Sequence, residues 1–199
     1  MWGCCGTRVG TPSSWTSPWT RRRVTSCATA WRATCPVEGA TVRGVIDWER
    51  RYRHMQRHSA QHLVSQAFLR VDATFETRSV ALGSPDVTID FAGHPGDDDV
   101  DAAFERARGW AYDALEVRAF EVDDGDLGAY PLRRPPKVQG RIRLVQMGDV
   151  EVAACGGTHV ARTAEVLPLL VTGRQRIRGN LTRVSFRAGW EAQAWRSRR

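Results

Sequence analysis

The sequence predicts an α+β fold in which helices pack on an antiparallel sheet. Two segments carry apolar residues at helical spacing, and a group of shorter strand-like segments follows each of them. Glycine and proline turns separate several of these strands, and such connections are typical of antiparallel pairing. No internal repeat is present, so the pattern favours one folded domain.

The first helix is predicted over residues 48–69, after a short strand that ends near residue 46. Asp47 is suited to cap its N-terminus, because a carboxylate can accept a hydrogen bond from the first free amide groups. No glycine or proline interrupts the segment. Its large apolar side chains fall mostly at helical spacings, and they are Trp48, Tyr52, Met55, Leu63 and Phe68.

The remaining elements follow in a regular order. Two strands are predicted in FETRSVALG and DVTIDFAG, joined by the turn GSPD. A second amphipathic helix follows in HPGDDDVDAAFERARGWAYDALE, whose first turn is acidic as the helix dipole favours. A strand over 117–122 and the loop DDGDLGAYPLRRPPK come next. Four further strands lie in GRIRLVQMG, DVEVAAC, VLPLLVTGRQRI and NLTRVSFRAG, and a short helix is predicted from Trp190.

Length and charge limit the classes of protein to consider. A chain of 199 residues suits one substantial domain with at most a small addition. No run of about 18 apolar residues occurs, which excludes a transmembrane helix. The net charge of +7 favours an anionic partner such as nucleic acid, although a merely basic surface explains it as well. The five cysteines form no paired framework, so a reducing cytoplasm is expected.

Residues 1–37 differ in composition from the rest of the chain, which we take as a domain over 38–199. They contain four of the five cysteines and four of the eight tryptophans, and residues 1–36 contain no acid. Three interpretations remain open: a transit peptide, a disordered basic arm, or a misassigned, out-of-frame start. The abrupt change of composition favours the last of these.

Two pairs of residues have the spacing of metal ligands. His58 and His62 are four apart on the predicted first helix, so both imidazoles lie on one face. Cys155 and His159 are also four apart, in the glycine-rich segment CGGTH, whose glycines would let the backbone turn sharply. Three imidazoles and one thiolate form a tetrahedral set that suits zinc. The sequence therefore predicts one Zn²⁺ site built from both pairs.

Each pair alone is a weak signal, since two histidines four apart often lie on a helix by chance. The combination is more specific, and it differs from the HExxH pattern of metallopeptidases, where the glutamate acts as general base. Here Ser59, Ala60 and Gln61 separate the histidines, so no carboxylate takes that place. His54 lies one helical turn earlier on the same face. Three roles are open for it: a contact with the substrate, a hydrogen-bond partner of a ligand or, least favoured, a further ligand.

The segments RHSAQHLVSQAF, VTIDF and CGGTHV, in this order, resemble the editing domain of alanyl-tRNA synthetase and its free-standing AlaX-type relatives. The resemblance covers residues 42–188. It implies the fold shared with the editing domain of threonyl-tRNA synthetase, and zinc ligation by His58, His62, Cys155 and His159. It also implies hydrolysis, in trans, of serine or glycine wrongly esterified to the tRNA for alanine. Whether zinc is structural or catalytic stays open.

The resemblance also implies a polar residue that recognises the extra hydroxyl of serine, on the strand after the first helix. Thr77 is our first choice for this role and Ser79 the second; with His54, Thr77 forms the predicted catalytic set. Such a residue separates serine from alanine because its hydrogen-bonding group is left unpaired when alanine binds.

Basic side chains in PLRRPPKVQGRIR and GRQRIRG are predicted to contact tRNA phosphates. We expect about half of them at most to touch RNA, the others forming a solvated strand face. Two other functions remain open: a non-catalytic RNA-binding module with a structural zinc ion, and a degenerate reading frame that folds poorly. The predicted RNA-binding residues are Arg133, Arg134, Lys137, Arg141, Arg143, Arg174, Arg176 and Arg178.

Overall fold

The first helix, α1, begins where the sequence predicts and carries half of the candidate metal site. The computed structural model describes residues 41, 43–136 and 139–198, so the segment 1–37 and Lys137 lie outside the described residues. α1 spans Trp48–Val71, and the carboxylate of Asp47 accepts a hydrogen bond of 3.0 Å from the amide of Arg50. The strand predicted before it does not form, since residues 43–47 have no regular structure.

Two further helices and seven strands complete the fold of residues 47–198. The second helix, α2, spans Asp97–Tyr112, and its N-terminus is capped by the carboxylate of Asp99, which accepts from the amide of Gly96. The third helix, α3, spans Gly189–Arg196. The strands are β1 Thr77–Ala81, β2 Val87–Ala92, β3 Val117–Asp123, β4 Arg141–Met147, β5 Glu151–Ala154, β6 Leu169–Ile177 and β7 Leu181–Ala188.

All pairs among these seven strands are antiparallel, and they divide between two sheets. The first sheet has four strands in the order β1-β2-β7-β6, and the second has three in the order β3-β4-β5. The α+β prediction is therefore confirmed, but the strands form two sheets rather than one. The segment predicted as the loop after β3 contains a 3-10 helix over Asp124–Ala129.

The main hydrophobic core lies between α1, α2 and the four-stranded sheet. Phe68 of α1 stacks on Phe91 of β2 with ring centroids 3.9 Å apart, and Phe104 of α2 meets Phe186 of β7 edge to face at 5.5 Å. All four rings are fully buried. Such aromatic pairs stabilise a fold by about 0.5–1.5 kcal/mol beyond the apolar area that they bury.

The middle of α1 is covered on more than one side, and this is what creates the candidate site. From Gln56 to Phe68 the helix buries apolar residues and also Ser59, Gln61, His62 and Ser65. Buried polar groups are costly unless they find partners, so each of these side chains needs a hydrogen bond or an ion.

Within the described residues, no helix is both long and apolar enough to cross a membrane.

Candidate metal centre

The structure brings the two predicted ligand pairs together. α1 presents His58 and His62 on one face, and the loop that follows β5 presents Cys155 and His159. The four ligand atoms all lie within 4.8 Å of one another. The Sγ atom of Cys155 is 3.5 Å from Nε2 of His58 and 3.4 Å from Nε2 of His159. Segments almost a hundred residues apart in sequence therefore form one cluster.

These donors fit a tetrahedral zinc ion. Zn–S and Zn–N bonds of about 2.3 and 2.0–2.1 Å at tetrahedral angles place sulfur and nitrogen about 3.5 Å apart, which matches the separations around Cys155. One thiolate with three imidazoles is also a donor set that zinc accepts readily. The cluster can thus hold one ion with four protein ligands, in the manner of closed structural sites.

A glycine in the ligand loop is required by the close approach of His58. A Cβ atom at residue 157 would lie 2.5 Å from Nδ1 of the His58 ring and closer still to its Cε1. The chain bends at Gly157, as predicted, but among the described residues neither Gly156 nor Gly157 has a positive φ, so the bend itself does not require glycine. Instead, the missing side chain at Gly157 makes room for a ligand ring.

The loop is held to β4 by Arg143, one of the predicted RNA-binding residues. Its Nη1 donates to the carbonyl oxygens of Cys155 at 2.6 Å and of Gly157 at 2.9 Å. The amide of Gly157 in turn points at Sγ of Cys155, 3.5 Å away. These contacts fix the backbone on both sides of Gly156 and so orient the thiol.

Hydrogen bonds on the far side of two histidine rings select the nitrogen that faces the cluster. His62 uses Nδ1 to contact Oε2 of Glu151 at 3.0 Å, and His159 uses Nδ1 to contact Oγ of Ser59 at 3.2 Å. Ser59 also accepts a 3.1 Å hydrogen bond from the amide of Val160, which ties the loop to α1. In both rings Nε2 is left to face the other ligands, an arrangement typical of metal-binding histidines.

The electrostatics of the cluster favour a thiolate. Burial raises the pKa of the Cys155 thiol, but hydrogen bonds from His159, His58 and His62 outweigh burial and bring that pKa to about 3. Burial opposes protonation of His62, but the negative charge of Glu151 and the Cys155 thiolate raise its pKa to about 9. The pKa of His159 is lowered, mainly by burial. The thiolate is the form of cysteine that binds zinc.

Comparison with known proteins shows which sequences this chain resembles. The model of the threonyl and alanyl tRNA synthetase second additional domain matches residues 142–185. Alanyl-tRNA editing protein AlaX-L of Pyrococcus horikoshii is 32% identical over 163 residues, which cover 81% of this chain and 40% of that protein. Residues 142–185 belong to this family of synthetase additional domains, and over most of its length the chain resembles alanyl-tRNA editing proteins.

Other relatives include both free-standing proteins and synthetases. Alanyl-tRNA editing protein AlaX-M of Methanosarcina acetivorans is 30% identical over 135 residues, covering 64% of this chain and 55% of that protein. The alanine–tRNA ligase of Thermofilum pendens is 31% identical over 172 residues, covering 79% of this chain and 18% of the ligase. The chain thus spans between 18% and 55% of the length of these three relatives.

Thr77 and Ser79, the predicted hydroxyl-recognising residues, differ in their surroundings. Thr77 is 6% exposed, and its hydroxyl donates to Oγ of Ser65 on α1 at 2.9 Å. Ser65 also accepts from Gln61, so a buried polar chain runs from β1 to the helix that carries His62. Ser79 instead donates to Asp90 at 2.6 Å. Only Thr77 is linked to the helix of the metal centre by these hydrogen bonds.

His54 stands apart from the four ligands. It does not belong to the metal-binding group, and its ring nitrogens lie 3.0 and 3.3 Å from Nη2 of Arg57. It lines a separate cleft together with Arg50 and Arg53. Burial lowers the pKa of His54, and the positive charges of Arg57 and Arg50 lower it further. The ring lies one helical turn before His58, and its surroundings favour the neutral form of the imidazole.

The seven predicted RNA-binding residues that the structure describes fall into three groups. Arg133 forms an ion pair with Glu151, Arg134 donates to the carbonyl oxygen of Thr77, and Arg143 holds the ligand loop. Two others, Arg141 and Arg174, form ion pairs with Glu121 and Asp97. The last two are exposed: Arg176 lies near the end of β6 and Arg178 just beyond it.

Sequence reasoning missed the residues that support the ligands. Glu151 has a signal that could have revealed it, because it is a single acid in the otherwise apolar strand segment VEVAA, four residues before the ligand Cys155. Ser59 lies between the two histidine ligands, but nothing local indicates its partner a hundred residues away. For Arg143 the sequence showed only a positive charge, which does not indicate its contact with the ligand loop.

Proposed function

We propose that this chain hydrolyses, in trans and in the cytoplasm, the ester bond of serine or glycine wrongly attached to the tRNA for alanine, with one Zn²⁺ bound in its centre. The observation that carries the proposal is the convergence of His58, His62, Cys155 and His159 within 4.8 Å. Similarity to proteins named for alanyl-tRNA editing supplies the reaction and the substrate class.

The residues of this chain have distinct parts in that reaction. Zinc, when bound, supplies a positive charge that orients the ester or polarises groups close to it. His62 and His159 are held by Glu151 and Ser59, so the ligand rings are fixed before substrate arrives. Such preorganisation matters because a reactive geometry is lost with small displacements. In the hydrolysis, the oxygen of a water molecule bonds to the acyl carbon and the bond from that carbon to the ribose oxygen breaks. A proton from the water passes to the ribose oxygen, so the products are the free amino acid and uncharged tRNA.

Discrimination against correctly charged tRNA is assigned to Thr77. Its hydroxyl is buried and belongs to the chain of hydrogen bonds with Ser65 and Gln61. A site that pairs with the serine hydroxyl leaves polar groups unpaired when alanine binds, and this difference supports large ratios between the two substrates. His54 is proposed to contact the substrate from the neighbouring cleft.

RNA binding is assigned chiefly to Arg176 and Arg178, with Lys137 as a further candidate. Both arginines are exposed near the turn between β6 and β7, so their charges are accessible to phosphates. The arginines that hold Glu151 and the ligand loop contribute to the electrostatic field, but their hydrogen-bonding groups are partly used within the protein. Phosphate contacts require only accessible positive charge.

The proposal is tested by deacylation of four substrates. Purified chain is incubated with the tRNA for alanine charged with serine, glycine or alanine, and with seryl-tRNA for serine as a control for tRNA identity. Release of serine or glycine, with alanine spared, supports the proposal. Treatment with a chelator and re-addition of Zn²⁺ establishes whether the reaction depends on the ion.

A structural zinc site in a non-catalytic RNA-binding module is the rival function. It is favoured by the closed set of four protein ligands, which resembles structural zinc sites. Tight binding of tRNA without turnover of any substrate would establish the rival. Equal hydrolysis of correctly and wrongly charged tRNA would contradict the editing function.

A further inference from the structure

A partly buried ion pair lies directly behind the candidate metal centre. Glu151 on β5 is 2% exposed, and Oε1 of its carboxylate lies 3.2 Å from Nη2 of Arg133. Burying a charged group costs several kcal/mol unless a partner compensates for the lost hydration. A stability role alone does not explain the pair, because buried pairs of this kind are often no better for stability than apolar side chains.

The second oxygen of the same carboxylate points at a metal ligand. Oε2 of Glu151 lies 3.0 Å from Nδ1 of His62, on the side of the ring that faces away from Cys155. An acceptor at this position keeps the ring proton on Nδ1, so the lone pair of Nε2 is free for an ion. It also fixes the rotation of the ring. A chain of contacts thus runs from the partly exposed Arg133 through Glu151 to His62 in the cluster.

We propose that Glu151, anchored by Arg133, is a positioning residue that sets the orientation and tautomer of His62 and thereby the affinity of the centre for its metal ion. The inference rests on the zinc-binding part of the proposed function and assigns Arg133 a role inside the protein. Hydrogen-bond partners of ligating histidines commonly affect metal affinity by about 10–100-fold.

Two substitutions separate the charge of Glu151 from its hydrogen bond. Glu151→Gln keeps the shape and an acceptor for Nδ1–H, whereas Glu151→Ala removes both. We expect Glu151→Ala to weaken Zn²⁺ binding by about 10–100-fold and Glu151→Gln to weaken it less. Glu116→Gln is the matched control, because Glu116 forms an exposed ion pair with Arg118 away from the ligands. It should leave affinity unchanged.

The measurement is competition for Zn²⁺ and Co²⁺ against a chromophoric chelator, with the protein alone and without tRNA. The ¹⁵N spectrum of the histidine rings supplies a second reading, which a purely structural role would leave unchanged. With Zn²⁺ bound, His62 should carry its proton on Nδ1 in wild type and in Glu151→Gln. In Glu151→Ala the preference should be lost, and circular dichroism of the metal-free forms reports whether the fold persists.

Each outcome bears on the inference. Wild-type affinity in both Glu151 variants overturns it, as does an unchanged His62 tautomer in a folded Glu151→Ala protein. If Glu151→Ala fails to fold, the near-isosteric Glu151→Gln decides the matter: affinity equal to wild type overturns the inference and a measurable loss supports it. A wild-type chain that binds no Zn²⁺ would instead refute the zinc-dependent function itself, which distinguishes the two failures.

Discussion

Gly157 lies against the imidazole of His58 so closely that any side chain at residue 157 would overlap the ring. We therefore predict that Gly157→Ala displaces His58 and weakens Zn²⁺ binding at least tenfold. Gly156→Ala is the matched control, because a Cβ atom there meets nothing within 4 Å. The measurement is Zn²⁺ affinity of the two variants. Equal affinities would show that His58 is not held at this position.

Removal of the Ser59 hydroxyl should destabilise the contact between α1 and the ligand loop. Ser59→Ala leaves the amide of Val160 and Nδ1 of His159 without their acceptor in a buried site. An unsatisfied buried donor costs about 1–3 kcal/mol, so we expect the free energy of unfolding to fall by that amount. Chemical denaturation measures it, with Ser197→Ala as an exposed control. A loss equal to that of the control contradicts the prediction.

The salt dependence of tRNA binding should identify the phosphate contacts. Arg176→Ala and Arg178→Ala are each predicted to reduce the slope of log K against log salt by about 0.7–0.9, because each lost phosphate contact releases one counterion fewer. Arg118→Ala serves as control, since Arg118 is exposed but paired with Glu116. Filter binding over a range of salt concentrations gives the slopes. Unchanged slopes in both variants would place the RNA elsewhere.

Thr77→Val should reduce discrimination between wrongly and correctly charged tRNA. Valine keeps the branched shape on β1 but removes the hydroxyl that contacts Ser65. We expect the ratio of kcat/KM for serine over alanine to fall by about tenfold or more, in line with the loss of one hydrogen bond of about 1.5 kcal/mol. Ser79→Ala is the comparison, because Ser79 contacts Asp90 instead. A larger effect at Ser79 would reverse the assignment.

The sequence predicted the four clustered residues because their spacing is local. His58 and His62 are brought to one face by helical geometry, and Cys155 and His159 by a short loop. The cap at Asp47 and most element boundaries are local in the same sense, although α1 continues to Val71, two residues past the predicted end. Such features depend on neighbours within about four residues, which a sequence displays directly.

The supporting contacts join segments that lie far apart in the sequence, so they could not be read in this way. Glu151 meets His62 only because β5 pairs with β4 and packs beside α1. The separation of the strands into two sheets depends equally on long-range register. Arg133 and Arg143 show the consequence: positive charge predicted contact with RNA, whereas the structure engages both side chains in contacts at the metal centre.

The proposed function depends most on the joint binding of one ion by α1 and the CGGTH loop, and metal analysis tests this directly. Wild-type protein should contain one Zn²⁺ per chain, and the Co²⁺ form should show the ultraviolet charge-transfer band of a metal–thiolate bond. His62→Ala, on the helix, and Cys155→Ala, on the loop, should each lower metal affinity sharply, and Cys155→Ala should abolish the band. A chain without metal, or one that either variant leaves fully loaded, would contradict the account.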